Sequence, residues 1–292
     1  MRVPPSRHEP PIGVVGAGVL GRGICERLLD AGFRVAVHDP RAAALEGLAE
    51  RGATVCSSNR ELAELCDRVC VLVRDDAQCE DALGGGGGLL AGLEAGSAIA
   101  IHSTVHPETI ERLAPLATQR GVGLVDAPLA GQGVNSLRRG DFWMLGGGDE
   151  AVLERFREPA ETFCEKVVHC GSLGSGAVLK LAHNVATYIG YLAILEAREF
   201  TRVAGVKEGL LEAVTGASGT LSEAMKLVLR TSDQRERGDS DALDEEQLRA
   251  YADLLRKDLR VAAEVAEGHG FELHGASVAA QRAAFIYGLA ED

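Results

Sequence analysis

Over its first half the chain alternates short, unbroken apolar runs with segments of helical periodicity. Residues 12–15 (Ile-Gly-Val-Val) form the first apolar run, a glycine-rich turn follows, and residues 23–31 continue as a helix. A second apolar run, 34–38, follows Gly32 and stops at Asp39. Helical stretches at 42–50 and 62–66 then alternate with apolar runs at 69–73, 98–101 and 123–125. Strands that are apolar on both faces, with helices between them, predict a parallel sheet covered on both sides. Residues 84–88 are five glycines, too flexible for the inside of an element, and are expected to form a surface loop before a short helix at 89–93. Strand character ends near 167–169. From 174 onward the pattern is helical almost to the end, starting with a segment from 177 to about 204. If continuous, that segment is roughly 40 Å long at about 1.5 Å per residue.

The turn after the first strand reads Gly16-Ala17-Gly18-Val19-Leu20-Gly21. Gly-x-Gly-x-x-Gly between a strand and a helix holds a dinucleotide pyrophosphate: the first glycine makes the tight turn, the second lets backbone approach the phosphates, and the third lets the helix close on the sheet. The free N–H groups of the helix end face the anion. Asp39, at the tip of the second strand, stands where a carboxylate holds a ribose diol. The expected fold is α/β: a Rossmann-like doubly wound parallel sheet followed by an all-α C-terminal domain. The expected boundaries are a flexible tail at 1–11, an NAD(P)-binding domain at 12–171 and a helical substrate and dimerisation domain at 172–292.

Composition narrows the function further. Forty-three acidic against 30 basic residues leave a net charge of −13, which argues against a nucleic-acid surface. Seven cysteines, with no Cys-x-x-Cys spacing, read as reduced thiols that fill the core. Cys66 and Cys70 are four apart on an expected helix, but no partner pair lies at ligand spacing, so no metal is expected. The first eleven residues hold four prolines and no apolar run, unlike a signal peptide. The longest apolar stretch, 185–195, is too short to cross a bilayer, and a soluble cytoplasmic protein is expected. A long helix apolar on several sides needs covering by other helices and a second subunit, so a homodimer or homotetramer through the C-terminal helices is expected. Residues 231–247 are rich in acidic side chains and read as a solvated loop, a mobile flap or ordinary surface.

The chain has only five lysines, so the position of each is informative. Lys180 is flanked by apolar residues, surroundings in which an ammonium loses hydration and exchanges protons more readily. Asn184 lies one helical turn on, at i+4, and Tyr188 and Tyr191 extend the stripe. Spacing alone leaves two roles open: a proton-transfer group, or an interfacial lysine with a buried stem.

Four stretches together resemble the beta-hydroxyacid dehydrogenases, the family of 3-hydroxyisobutyrate dehydrogenase, tartronate semialdehyde reductase and, more distantly, 6-phosphogluconate dehydrogenase. They are the Gly16–Gly21 turn, His102-Ser103-Thr104-Val105-His106-Pro107, Asp126-Ala127-Pro128-Leu129-Ala130-Gly131-Gln132, and Gly174-x-Gly176-x-x-x-Lys180-x-x-x-Asn184; Lys257-Asp258-Leu259 adds a further cofactor-side signature. The resemblance implies NAD(P)-dependent interconversion of a small beta-hydroxy acid and its semialdehyde or keto partner. It makes Lys180 the general acid or base at the substrate hydroxyl and Asn184 the group that positions that hydroxyl, with the backbone around Ala130 to Gln132 receiving the substrate carboxylate. Residues Gly16 to Gly21, Asp39, Val73, Thr104 and Lys257 would contact the cofactor, and Ser103, Ala130, Gly131, Gln132, Lys180 and Asn184 the substrate, in a cleft between the domains. Asp39 favours NAD over NADP because a carboxylate repels a 2′-phosphate, although Arg41 nearby softens that choice.

The chain departs from the family pattern in places. Ala130 replaces a serine, Gln132 a glycine and His102 an aspartate, whose expected role here is to close a strand end. The segment to Gly140 is one residue longer than usual, and Asn135 stands where a glycine is common. The substrate therefore need not be 3-hydroxyisobutyrate. An imine or carbonyl reductase of the same architecture and a non-catalytic NAD(P)-binding protein are the alternatives, and retention of Lys180 and Asn184 weighs against both.

Overall fold

The computed structural model describes residues 9–240 and 242–290, so most of the tail expected at 1–11 lies outside the described residues. The chain opens with β1 (Ile12–Val15), α1 (Val19–Asp30), β2 (Val35–His38), α2 (Ala42–Leu45), β3 (Thr54–Val55), α3 (Asn59–Leu65), β4 (Arg68–Val71), α4 (Asp76–Leu83), α5 (Leu89–Gly92) and β5 (Ala98–Ile101). It continues with α6 (Pro107–Gln119), β6 (Gly123–Asp126), β7 (Leu129–Ala130), α7 (Val134–Arg139), β8 (Phe142–Gly147), α8 (Glu150–Glu154), α9 (Arg157–Ala160) and β9 (Cys164–Gly171). Helices complete it: α10 (Ser175–Val203), α11 (Leu210–Ala217), α12 (Glu223–Arg237), α13 (Glu245–Gly268), α14 (His274–Gln281) and α15 (Ala283–Tyr287).

Among the described residues nine strands form one sheet in the order β3-β2-β1-β4-β5-β6-β8-β7, with β9 beside β8. Strands β1 to β6 are parallel; Ile12, for example, lies opposite both Val35 and Arg68. β8 runs antiparallel to β6 and β7 and parallel to β9. The β3-β2-β1-β4-β5-β6 run is the doubly wound order that places a dinucleotide at the carboxyl ends of the strands. Alternation explains why these strands read as unbroken apolar runs. In β5, Ala98 and Ala100 enter one core cluster and Ile99 and Ile101 the other, so both faces are dry. Each such fully buried Ile or Leu contributes roughly 1.5–3 kcal/mol relative to exposure.

Several sequence expectations need correction. Helix α1 begins at Val19, four residues before the apolar pattern announced it, because the glycine turn ends at Gly18. The helix expected over 42–50 is the single turn α2. Cys66 and Cys70 do not share a helix: Cys66 ends α3 and Cys70 lies inside β4. The acidic stretch 231–247 is mostly helical. Residues up to Arg237 belong to α12, where Asp233 pairs with Arg198 at 2.6 Å, and Gly238 in the left-handed conformation ends the helix. Asp244 then starts α13 in a capping box with Gln247, and Glu245 and Glu246 occupy its first turn, where the helix dipole favours negative charge. Much of the charge that read as loop is thus capping and pairing chemistry.

The contacts divide the chain into a unit ending at Lys180 and a unit beginning at Leu181, with the boundary inside α10. In the second unit, α13 presents Leu248, Ala252, Leu255, Leu259 and Ala262 as a buried stripe, and Leu192, Ile194 and Leu195 of α10 are buried in the same unit's core. α10 is long and apolar enough to span a membrane by length and composition, with a mean hydropathy of 1.3 over its best window. The uninterrupted apolar run had understated it. All seven cysteines are free thiols of the first unit, as is the single tryptophan, Trp143; the four tyrosines belong to the second.

Candidate active site

The glycine turn has the geometry its spacing predicts. Gly16 has φ +92°, and a side chain there would collide with the Leu72 carbonyl; one at Gly21 would collide with the Gly16 carbonyl. At Gly18 the space is open, the nearest atom to a hypothetical Cβ being Arg41 Nη2 at 3.9 Å. Gly18 is also the N-cap of α1, which has no capping side chain and no acidic residue in its first turn. Free N–H groups, the positive end of the dipole and open space above a glycine fit a pyrophosphate. Val19 is exposed and Leu20 half-buried at this edge.

Asp39 is buried and almost saturated with donors. Its Oδ2 accepts from the Ala17 N–H at 2.8 Å and from Arg41 Nη2 at 3.0 Å, and its Oδ1 accepts from the Arg41 backbone N–H at 2.9 Å and Nε at 3.0 Å. Burial alone raises its pKa, but the Arg41 and Ala17 hydrogen bonds outweigh burial and hold it below the ordinary carboxylate value. The Arg41 side chain that covers this carboxylate is itself 68% exposed.

At the ends of β4 and β5, Val73 and Ser103 meet: the Val73 N–H donates to Ser103 Oγ at 2.8 Å. That serine hydroxyl, expected at the substrate, thereby shapes the loop after β4. Thr104 beside it is half-buried. His102 does more than close the strand. Its Nδ1 lies 2.6 Å from the Ala127 carbonyl, which only accepts, so Nδ1 carries the proton. Nε2 is left as a buried lone pair with no partner among the described residues. Burial pushes the ring's pKa down to about 4, against the smaller opposing effect of the Ala127 bond.

In the segment expected at the substrate, Gly131 packs against Phe142 and Ser136 with no room for a side chain. The Gln132 N–H donates to Ser136 Oγ at 2.8 Å, and Arg139 Nη2 reaches Gln132 Oε1 at 3.5 Å while its Nε pairs with Asp141. One backbone donor of this segment, expected at the substrate, is therefore already engaged. Ala130, half-buried in β7, offers no hydroxyl.

Asp126 fixes the start of α10, a role its place in the sequence motif did not disclose. Its carboxylate is fully buried and accepts from the Gly174 and Ala177 N–H groups, both at 2.7 Å, at the positive end of the helix. Burial raises its pKa despite those bonds. Side chains at Gly147 or Gly176 would intrude on it. Lys180 follows one turn on and is half-buried, but its neighbours Val178 and Leu179 are exposed, so apolar flanks do not wrap it as the sequence implied. Asn184 is buried and donates through Nδ2 to Asp258 Oδ2 at 2.7 Å, and Lys257 Nζ lies 2.9 Å from Asp258 Oδ1. Asn184 and Lys257, expected at substrate and cofactor, are joined by an aspartate whose sequence position marks it only as Lys257's neighbour.

A doubly wound sheet, an open glycine turn at a helix N-terminus and a basic residue on a long following helix define the class of dinucleotide-dependent oxidoreductases. Residues 11–171 match the family described as the NAD binding domain of 6-phosphogluconate dehydrogenase. An uncharacterized oxidoreductase of Mycobacterium tuberculosis is 32% identical over 199 residues, covering 68% of this chain and 67% of that protein. The 2-(hydroxymethyl)glutarate dehydrogenase of Eubacterium barkeri is 27% identical over 215 residues, covering 74% and 71%. The crystal structure of 3-hydroxyisobutyrate dehydrogenase from Salmonella typhimurium has the same fold, with a TM-score of 0.80 at 24% identity over 95% of this chain and 94% of that one. The chain belongs to the beta-hydroxyacid dehydrogenase family.

Proposed function

We propose that the protein oxidises a small beta-hydroxy acid to its semialdehyde or keto acid, or runs the reverse reduction, with NAD preferred over NADP and Lys180 as the general acid or base. The observation that carries this reading is the placement of Lys180 and Asn184 one turn apart on a helix whose first turn is tied to the dinucleotide-binding sheet by Asp126. A bound nicotinamide supplies the acceptor or donor of hydride at the substrate carbon. Lys180 takes the hydroxyl proton during oxidation and returns it during reduction. Asn184 orients that oxygen. The glycine turn and the N-terminal end of α1 hold the pyrophosphate, Asp39 the ribose once Arg41 moves aside, and Thr104 and Lys257 contact the cofactor. Backbone around Ala130 to Gln132 receives the substrate carboxylate, with Gln132 and Ala130 setting which acid fits. The chain works in the cytoplasm as a dimer or tetramer that covers the apolar side chains left exposed on its C-terminal helices.

The test is reduction of NAD and NADP at mildly alkaline pH with 3-hydroxyisobutyrate, 3-hydroxypropionate, glycerate, serine and threonate, using the natural chain and Lys180→Ala. We expect turnover with NAD for at least one acid, a loss of about 10²–10⁴-fold in kcat for the variant, and NAD binding unchanged by calorimetry. Full turnover in Lys180→Ala removes the role given to that lysine.

A further inference from the structure

Asp258 is 2% exposed and interrupts an otherwise apolar stripe of α13: Leu255 lies one turn before it, Leu259 beside it and Ala262 one turn after, all buried. A carboxylate removed from water is costly, and an apolar residue of similar size at such a position is often neutral or stabilising. Helix packing therefore gives no reason for the charge. Its polar surroundings do. Oδ2 lies 2.7 Å from Asn184 Nδ2 and 3.5 Å from the Tyr188 hydroxyl, and Oδ1 faces the Lys257 ammonium at 2.9 Å with no hydrogen-bond partner beyond that ion pair among the described residues.

An ionised carboxylate only accepts, so at 2.7 Å it admits only the NH₂ side of the Asn184 amide. The amide is thereby turned so that its Oδ1 and its second N–H point elsewhere, Oδ1 lying 3.2 Å from His183 Nδ1. Rotation by 180° would set two oxygens against each other. The Lys257 side chain is 19% exposed, and its ammonium is held by the other oxygen of the same group. We propose that Asp258 is a positioning residue of the reaction: one buried carboxylate selects which atoms Asn184 offers and fixes the Lys257 ammonium, so that the contacts to substrate and to cofactor are set together. This rests on the roles given above to Asn184 and Lys257.

The test compares Asp258→Asn, Asn184→Ala, the double variant and Lys180→Ala in the full-length protein. Melting temperature, NAD affinity by calorimetry, and kcat and KM for the best hydroxy acid are measured for each. An amide at 258 keeps the size but loses the charge and no longer dictates one orientation of Asn184. We expect Asp258→Asn to melt within a few degrees of the natural chain, to lose about a hundredfold in kcat, as small misplacements of reacting groups do, and to bind NAD about tenfold more weakly as Lys257 is released. The double variant should turn over no more slowly than Asn184→Ala, because Asp258 acts on kcat through that residue.

Wild-type kcat and NAD affinity in Asp258→Asn overturn the proposal. So does a loss of activity that merely tracks the folded fraction, with normal turnover per NAD site that still binds, since that is a structural role. Multiplicative losses in the double variant also overturn it. If Asp258→Asn is fully active while Lys180→Ala is inactive, the proposal fails and the functional reading stands; if Lys180→Ala is also fully active, the functional reading fails with it.

Discussion

His102 shows how one side chain can make the fold sensitive to acid. The folded protein holds the ring neutral down to a pKa of about 4, whereas in the unfolded chain it titrates near 6.5. Between those values the unfolded chain binds the extra proton. The stability due to the neutral ring is thus complete above about pH 6.5 and is lost as pH falls toward 4. Urea unfolding at pH 7 and pH 4.5 should show the natural chain losing about 2 kcal/mol more than His102→Asn, which carries no titrating ring. Equal losses would show that the ring gains a partner or water on protonation. The sequence marked His102 as unusual, because it replaces an aspartate, but its buried lone pair depends on the Ala127 carbonyl 25 residues away. Asp258 was hidden for the same reason. It reads as a neighbour of Lys257, and its bond to Asn184 spans 74 residues that only the fold brings together.

Local pattern was legible for elements whose apolar period is unbroken and misleading where polar side chains do structural work. β5 and the continuous α10 are where the runs put them, because both faces of β5 are dry and no Pro interrupts α10. Of the readings open for residues 231–247, the loop fails and ordinary surface stands: Asp, Glu and Gly that cap and end helices look, residue by residue, like a solvated loop. β7, α7 and β8 were missed: these strands pair antiparallel across a tight segment whose order comes from contacts such as Gln132 N–H to Ser136 Oγ. The anchoring of α10 is the element-scale feature with the clearest consequence. A Cβ at Gly176 would run into the Leu145 carbonyl and lie 2.8 Å from Asp126 Oδ2. Gly176→Ala should therefore lower stability by about 1–3 kcal/mol and reduce kcat by displacing the turn that leads to Lys180. Melting and turnover measured side by side check this; an unchanged kcat would mean that the helix start relaxes without moving the lysine.

For the molecule as a whole, α10 and α11 leave Phe200 71%, Val203 66% and Val214 66% exposed, apolar side chains that a second copy would cover. The reading of a dimer through these helices makes a definite prediction. Light scattering should give two or four times the chain mass for the natural protein and a smaller mass for Phe200→Asp at micromolar concentration. A monomeric natural chain would remove the dimer and leave that face to another partner.

The segregation of side chains between the two units gives the protein a built-in optical code. Excitation at 295 nm reports Trp143, hence the sheet unit; the emission of Tyr188, Tyr191, Tyr251 and Tyr287 reports the helical unit; and the rate at which thiols take up an alkylating reagent times the opening of the sheet alone. Six of the seven thiols are buried, so native labelling should be slow and its acceleration sharp. Whether the two halves melt together or in sequence can thus be read from the natural chain, without introducing a single dye.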